Sequence, residues 1–206
     1  PHVLADPRHI AETRVLGPVA AADPQEFPDF EARLNRGLRF YLRMLDTARS
    51  YGMWNDGDVH HKWVTRGDEW GASYYRLWGS VHHGKPRLFW WAYLRNGDAD
   101  FLDFARAQAQ HTADVDLCHW SNDVFAQGAP NSNRKKVGGL CDYKGFVHWN
   151  AGDRFAYNSM IDHYLYDFYL TGNRRSWEMA LEHGRYFLSV NMATTGRSGA
   201  GQCDTM

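Results

Sequence analysis

Residues 87–115 read RLFWWAYLRNGDADFLDFARAQAQHTADV. Arg87 to Asn96 forms an apolar run long enough for a helix. Asn96-Gly97-Asp98 stops it, with Asp98 placed to cap the next one, and Ala99 to about Val115 carries Phe101, Phe104, Ala105 and Thr112 on an inward face. A second unit of the same design follows. Asp153 to Leu170 is helical, with Tyr157, Ile161, Tyr164, Leu165 and Phe168 on one stripe. Thr171-Gly172-Asn173 turns the chain, and Arg174 to Val190 is helical again through Trp177, Ala180, Leu181 and Leu188. Tyr93 to Asp98 aligns with Tyr169 to Asn173 if one residue is deleted, so the chain repeats a helical hairpin.

Working outward, Phe30, Leu34, Leu38, Tyr41, Leu42, Leu45 and Ala48 recur at spacings of three and four, which predicts a helix from Asp29 to about Ser50. Ala72 to His83 also reads as helical, with Gly84-Lys85-Pro86 as a kink or break before the next helix. Residues 1–28 hold five of the seven prolines and little periodicity, so they are expected to be an extended lead-in. No segment alternates as a strand does. The expected fold is all-α, built of repeated antiparallel helical hairpins.

The connections divide by length. Those at 96–99 and 171–174 are minimal, whereas 51–71, 117–152 and 192–206 are long. In a row of antiparallel hairpins alternate connections share an end, so the three long loops are expected on one face, and long loops in compact domains tend to carry function.

The first long loop, YGMWNDGDVHHKWVTRGDEW from Tyr51 to Trp70, holds three tryptophans, four carboxylates and two histidines. Tryptophan faces stack on sugar rings, Asn55 and Asp58 can chelate vicinal hydroxyls, and histidines move protons near neutral pH. Asp56 and Asp58 flank Gly57, and His60 and His61 follow. A second constellation is His111, Asp114, Asp116 and His119. These are metal-ligand types, yet about 140° of rotation separates His111 from Asp116 on an ideal α-helix. The favoured reading is pocket-lining for some, His119 among them, and buried polar bonds for others; a divalent metal is the lesser alternative and no cofactor is expected. The third is His148, Trp149, Asn150 and Arg154 at a helix entrance, where an arginine fork suits a carboxylate. His82, His83, His163 and His183 read as core or surface histidines.

A net charge of −1 with both signs interspersed gives no reason to expect nucleic acid or an anionic membrane as partner. No apolar run approaches the ~20 residues of a membrane span. Cys118, Cys141 and Cys203 form neither a CxxC pattern nor a disulfide framework; Cys118 and Cys141 can pair or stay as thiols.

YGMWNDGD, the following segment with Tyr74-Tyr75, YLRNGDADFLDFARAQAQHTADVDLCH, and later HWN with YLYDFYLTGNRRSWEMALEHG together resemble the helical-toroid portion of exo-rhamnogalacturonan lyase-like proteins. The resemblance spans roughly residues 37–190. It implies part of an (α/α) toroid over residues 29–206. A full toroid needs about six hairpins and this chain supplies two and a half, so a piece of a longer protein is expected. It also implies a secreted or periplasmic polysaccharide lyase that cleaves an acidic, uronate-containing oligo- or polysaccharide by β-elimination. On that chemistry His148 or His61 abstracts the C5 proton. Arg154, Asn150 or Asn55 stabilises the charge developing at the carboxylate, and Tyr75 or the other histidine protonates the leaving oxygen. Trp54, Trp70 and Trp149 hold the rings, with Asp58, His60 and His119 beside them. The alternatives are a glycoside hydrolase using Asp58 and Glu69, and a non-catalytic helical-repeat binding module.

Overall fold

The computed structural model describes residues 6–49, 52, 56–58, 63–64, 69–70, 85–120, 137–139 and 161–194. Within them the chain is helical: α1 (Pro7–Thr13), α2 (Pro28–Ala48), α3 (Lys85–Asn96), α4 (Ala99–His111) running into a π-turn (Thr112–Asp116), α5 (Asp162–Thr171) and α6 (Arg174–Thr194). A two-residue antiparallel ladder, Trp63–Val64 with Glu69–Trp70, pairs Trp63 with Trp70 and Val64 with Glu69 inside the first long loop. It leaves the all-α class unchanged. The helix expected over 72–83 and the first turns of the one expected from Asp153 lie outside the described residues, as does Cys141.

The lead-in departs from the expected extended form. Pro7 stands at the first turn of α1, where its missing N–H costs nothing, and Asp6 caps the helix by accepting from Arg8 N at 2.9 Å. Pro86 lies in the first described turn of α3, and the residues before Lys85 lie outside the described ones.

The two short turns share one design. Gly97 adopts φ +73° and its N–H closes α3 on Tyr93 O at 2.7 Å; Gly172 adopts φ +74° and closes α5 on Phe168 O at 2.8 Å. Asp98 then caps α4 through Asp100 N, and Asn173 caps α6 through Arg175 N. Matched through their glycines, the hairpins align Tyr93 with Phe168 and need no deletion. Buried Asp167 ties the second turn by accepting from Asn173 Nδ2 at 2.7 Å and from Ser176 Oγ.

α3 packs against α4 and α5 against α6, and the hairpins adjoin through α5. One core joins α2, α3 and α4 around Leu38, Met44, Phe89, Trp90, Leu94, Phe101 and Phe104, with Phe89 edge-on to Phe104 at 4.5 Å. A second joins the π-turn to α5 and α6 through Ala113, Leu117, Tyr164, Met179 and Ala180. On α2 the expected face is inward, with Leu34, Leu38, Tyr41, Leu42 and Leu45 on the first core and Phe30, at 58%, exposed. The stripe read for α6 is rotated: that helix buries Ser176, Met179, Ala180, His183, Tyr186 and Phe187 while Trp177, Leu181 and Leu188 face outward.

Candidate functional site

At the end of α4 the α-helical ladder widens by one residue: Leu117 N–H reaches Thr112 O at 2.9 Å, five residues back. This under-winding brings Asp116 over His111, with Oδ2 3.5 Å from Nε2, although an ideal α-helix would hold them about 140° apart. Such π-turns recur at functional sites. Asp114 swings outward to Arg175 at 2.9 Å. His119 lies beyond, with Nε2 2.6 Å from Ala113 O and Nδ1 3.5 Å from Glu182 Oε2. The four residues of the HxxDxDxxH segment thus separate into three environments.

The first long loop reaches the π-turn through Gly57. Its φ is +82°, and a Cβ there would lie 2.3 Å from Ala107 O and 2.5 Å from Gln108 N. Only glycine lets the loop touch the α4 backbone this closely. The contact buries Asp58 completely, with Oδ2 3.8 Å from His111 Nε2. Burial alone would lower the affinity of His111 for its proton. The charge of Asp116, its hydrogen bond, and the charges of Asp58 and Asp56 outweigh burial and raise its pKa to about 8. At neutral pH the centre is a buried imidazolium whose Nε2 faces two carboxylates. Among the described residues no set of three or more His, Cys, Asp or Glu is arranged to hold a metal ion.

A second loop docks beside it. Gly138, φ +82°, presses on α6 so closely that a Cβ would meet Tyr186 Cβ at 2.8 Å and Glu182 O at 2.9 Å. Its N–H donates to Cys118 O at 2.7 Å, Cys118 N–H donates to Gly139 O at 2.9 Å, and its carbonyl accepts from His183 Nδ1 at 2.7 Å. Thr112 Oγ1 donates to Ala109 O, so His163 Nε2 carries the proton it shares with Thr112 at 3.0 Å. Burial lowers the pKa of His163 to about 3, with His183 adding to the shift and Asp116 opposing it; burial lowers that of His183 to about 4. These two imidazoles are neutral while His111 is charged.

Asp58, His111, Asp116, His163 and His183 have almost no exposed surface. Their chemistry therefore acts on the loops they hold. A groove of about 620 Å³ lies between α2 and α4, with Asp56 at its rim and Arg39, Arg43, Asp100 and Asp103 along its walls; none of the five buried residues lines it.

Of the residues expected at the site, Asp58 is enclosed against His111, and His119 is exposed beside Glu182. Trp70 is placed through its strand backbone. Trp54, Asn55, His60, His61, Tyr75, His148, Trp149, Asn150 and Arg154 lie outside the described residues. His163 and His183 read from sequence as ordinary core or surface histidines, and they are core. What sequence missed is their place beside the His111 centre; the only signal was the spacing of two histidines on neighbouring helices.

The family model of the PcRGLX-like protein C-terminal alpha/alpha toroid domain matches residues 1–185. The chain is also similar to the Uncharacterized protein YetA of Bacillus subtilis (strain 168), 27% identical over 188 residues, which is 88% of this chain and 20% of that protein. The chain thus spans about one fifth of the length of this relative.

Proposed function

The chain belongs to the PcRGLX-like C-terminal α/α toroid family, and from that premise we propose that it forms the substrate-binding toroid of a polysaccharide lyase acting on a uronate-containing polymer by β-elimination. The observation that carries this reading is the docking of two long loops, each through a glycine, the first onto α4 against a buried imidazolium and the second onto α6 against His183. A linker has no need of such a centre. Buried perturbed charges and π-turns concentrate where loops must be held for function. In sequence, Trp54 and Asn55 precede the docked Asp56-Gly57-Asp58 and His60 and His61 follow it, so the docked tripeptide belongs to the segment richest in candidate sugar-binding side chains.

In the proposed reaction Arg154, with Asn150 or Asn55, neutralises the substrate carboxylate and so acidifies C5–H. His148 or His61 removes that proton. The C5 electron pair forms the C4–C5 double bond as the C4–O bond breaks, and Tyr75 or the other histidine protonates the departing oxygen. Trp54, Trp70 and Trp149 hold the rings. The complete burial of Asp58 counts against its use as a hydrolytic acid, which must reach the glycosidic oxygen. A secreted or periplasmic site of action belongs to this proposal, as such polymers lie outside cells.

The test is incubation of the chain, alone and within the longest polypeptide that carries it, with acidic polysaccharides. A lyase releases an unsaturated, near-ultraviolet-absorbing end, and His61→Ala or His148→Ala abolishes it. Saturated reducing ends alone identify a hydrolase; binding without turnover identifies a binding module.

A further inference from the structure

A second groove, of about 630 Å³, runs along α3 and α5 beneath the strap formed by residues 15–20. Arg87, Trp91 and Arg95 line it from α3, and Asp162, Tyr166 and Tyr169 line it from α5. None of these takes part in the loop-end centre. We propose that this groove is a second carbohydrate site that takes a neutral saccharide of one or two rings. The proposal rests on the carbohydrate reading above but concerns a different surface and a different ligand charge.

The groove presents one aromatic ring that is exposed yet held, Trp91, and a second that is exposed, Tyr169. Trp91 is 37% exposed, its indole N–H donates to Tyr166 Oη at 3.0 Å, and the Arg87 guanidinium lies 4.8 Å from its ring centre. Tyr169 is 59% exposed on the next turn of α5. The strap is tied in place because Arg95 donates to Ala20 O at 3.0 Å and Ala22 N–H donates to Arg95 O at 2.8 Å. Rings already held in one orientation lose little freedom when a flat apolar ligand face stacks on them.

Charge selects the ligand. Both guanidiniums in the lining are matched, Arg87 by Asp162 at 3.0 Å and Arg95 by Glu31. Among the described residues lining the groove, no net cation remains to repay the desolvation of an anionic sugar. The Arg87–Asp162 pair is only partly exposed, 26% and 16% by side chain, and burial raises the Asp162 pKa while Arg87 opposes it. A mostly apolar groove with a few convergent polar groups is the usual form of a small-ligand site. An acyl chain would need an unbroken apolar channel, which the ion pair and the tyrosine hydroxyls interrupt. A saccharide uses both parts, its C–H face on the rings and its hydroxyls on the Asp162 carboxylate and the guanidinium.

The experiment titrates the chain with neutral hexose and pentose tetrasaccharides, with tetragalacturonate as the acidic comparator, by calorimetry and tryptophan fluorescence. Tyr169→Ala is the main variant, its exposed ring leaving the cores intact, and Trp91→Phe is the second. We expect millimolar or tighter binding of at least one neutral tetrasaccharide, weakened about fivefold by Tyr169→Ala, with the fluorescence response lost in Trp91→Phe and thermal unfolding of both variants near wild type. Binding of none of the neutral set at tens of millimolar overturns the proposal, as does stronger binding of the acidic comparator in this groove or an unchanged affinity in Tyr169→Ala. Turnover of acidic polysaccharide without neutral binding defeats this inference alone. Neutral binding lost in Tyr169→Ala, without any turnover, defeats only the loop-end reading.

Discussion

Replacing Gly57 by alanine should break the docking of the first long loop, and Gly172→Ala supplies its internal control. Both glycines have φ well inside the left-handed region, +82° and +74°. Each substitution therefore carries a backbone penalty of about 1 kcal/mol. Beyond that they differ. A Cβ at Gly172 meets nothing within 4 Å, whereas one at Gly57 lies 2.3 Å from Ala107 O, 2.4 Å from Ala107 C and 2.5 Å from Gln108 N. All three are backbone atoms of α4, which cannot yield without breaking the helix ladder, so the loop must retreat and take Asp58 from His111. Separating one partner of a buried ion pair costs about 3 kcal/mol when the other charge stays buried, and less here because the freed loop regains water. The expectation is a loss of about 3 kcal/mol for Gly57→Ala against about 1 kcal/mol for Gly172→Ala in urea unfolding. The His111 ring proton should also titrate below its wild-type pKa of about 8 in Gly57→Ala alone, because one of its carboxylates has left. Equal destabilisation of the two variants, with an unchanged His111 titration, would refute the docking argument.

Stability should peak near pH 6.5 and fall on both sides. The raised pKa of His111 gives stabilisation that is complete below its unfolded value of 6.5 and lost as pH rises through about 8, worth about 2 kcal/mol in all. The lowered pKa values of His163 and His183 act oppositely: the unfolded chain takes up their protons below pH 6.5, so stability is lost as pH falls toward about 4. Thermal unfolding from pH 4 to 9 checks this, with Asp116→Asn flattening the alkaline limb and His183→Gln the acid limb. Arg95→Ala removes a half-buried pair with Glu31 and the bond to Ala20 O. It should cost about 2 kcal/mol and speed amide exchange in the strap; unchanged exchange there would show that Arg95 does not hold it.

The hairpins were legible because their causes are local. Gly97-Asp98 and Gly172-Asn173 encode a left-handed helix end followed by a cap, and the spacing of Leu34, Leu38, Tyr41 and Leu42 follows from the helical period. The unequal loop lengths, and with them the expectation of one loop-bearing face, are equally a property of the chain alone. Which stripe of α6 lies inside was not legible, since Trp177, Leu181 and Leu188 compete in hydropathy with Met179, Tyr186 and Phe187, and only the position of α5 and the π-turn chooses between them. His111 and Asp116 show the same limit more sharply. Sequence supplies both residues and an ideal helix keeps them apart. The extra residue in the π-turn, stabilised by packing against α5 and α6, is what sets the Asp116 carboxylate against the imidazole, while Gly57 brings Asp58 to the same ring nitrogen. Periodicity is set by the backbone of one segment; a buried charge centre is set by three segments meeting, and no single stretch of sequence contains that geometry.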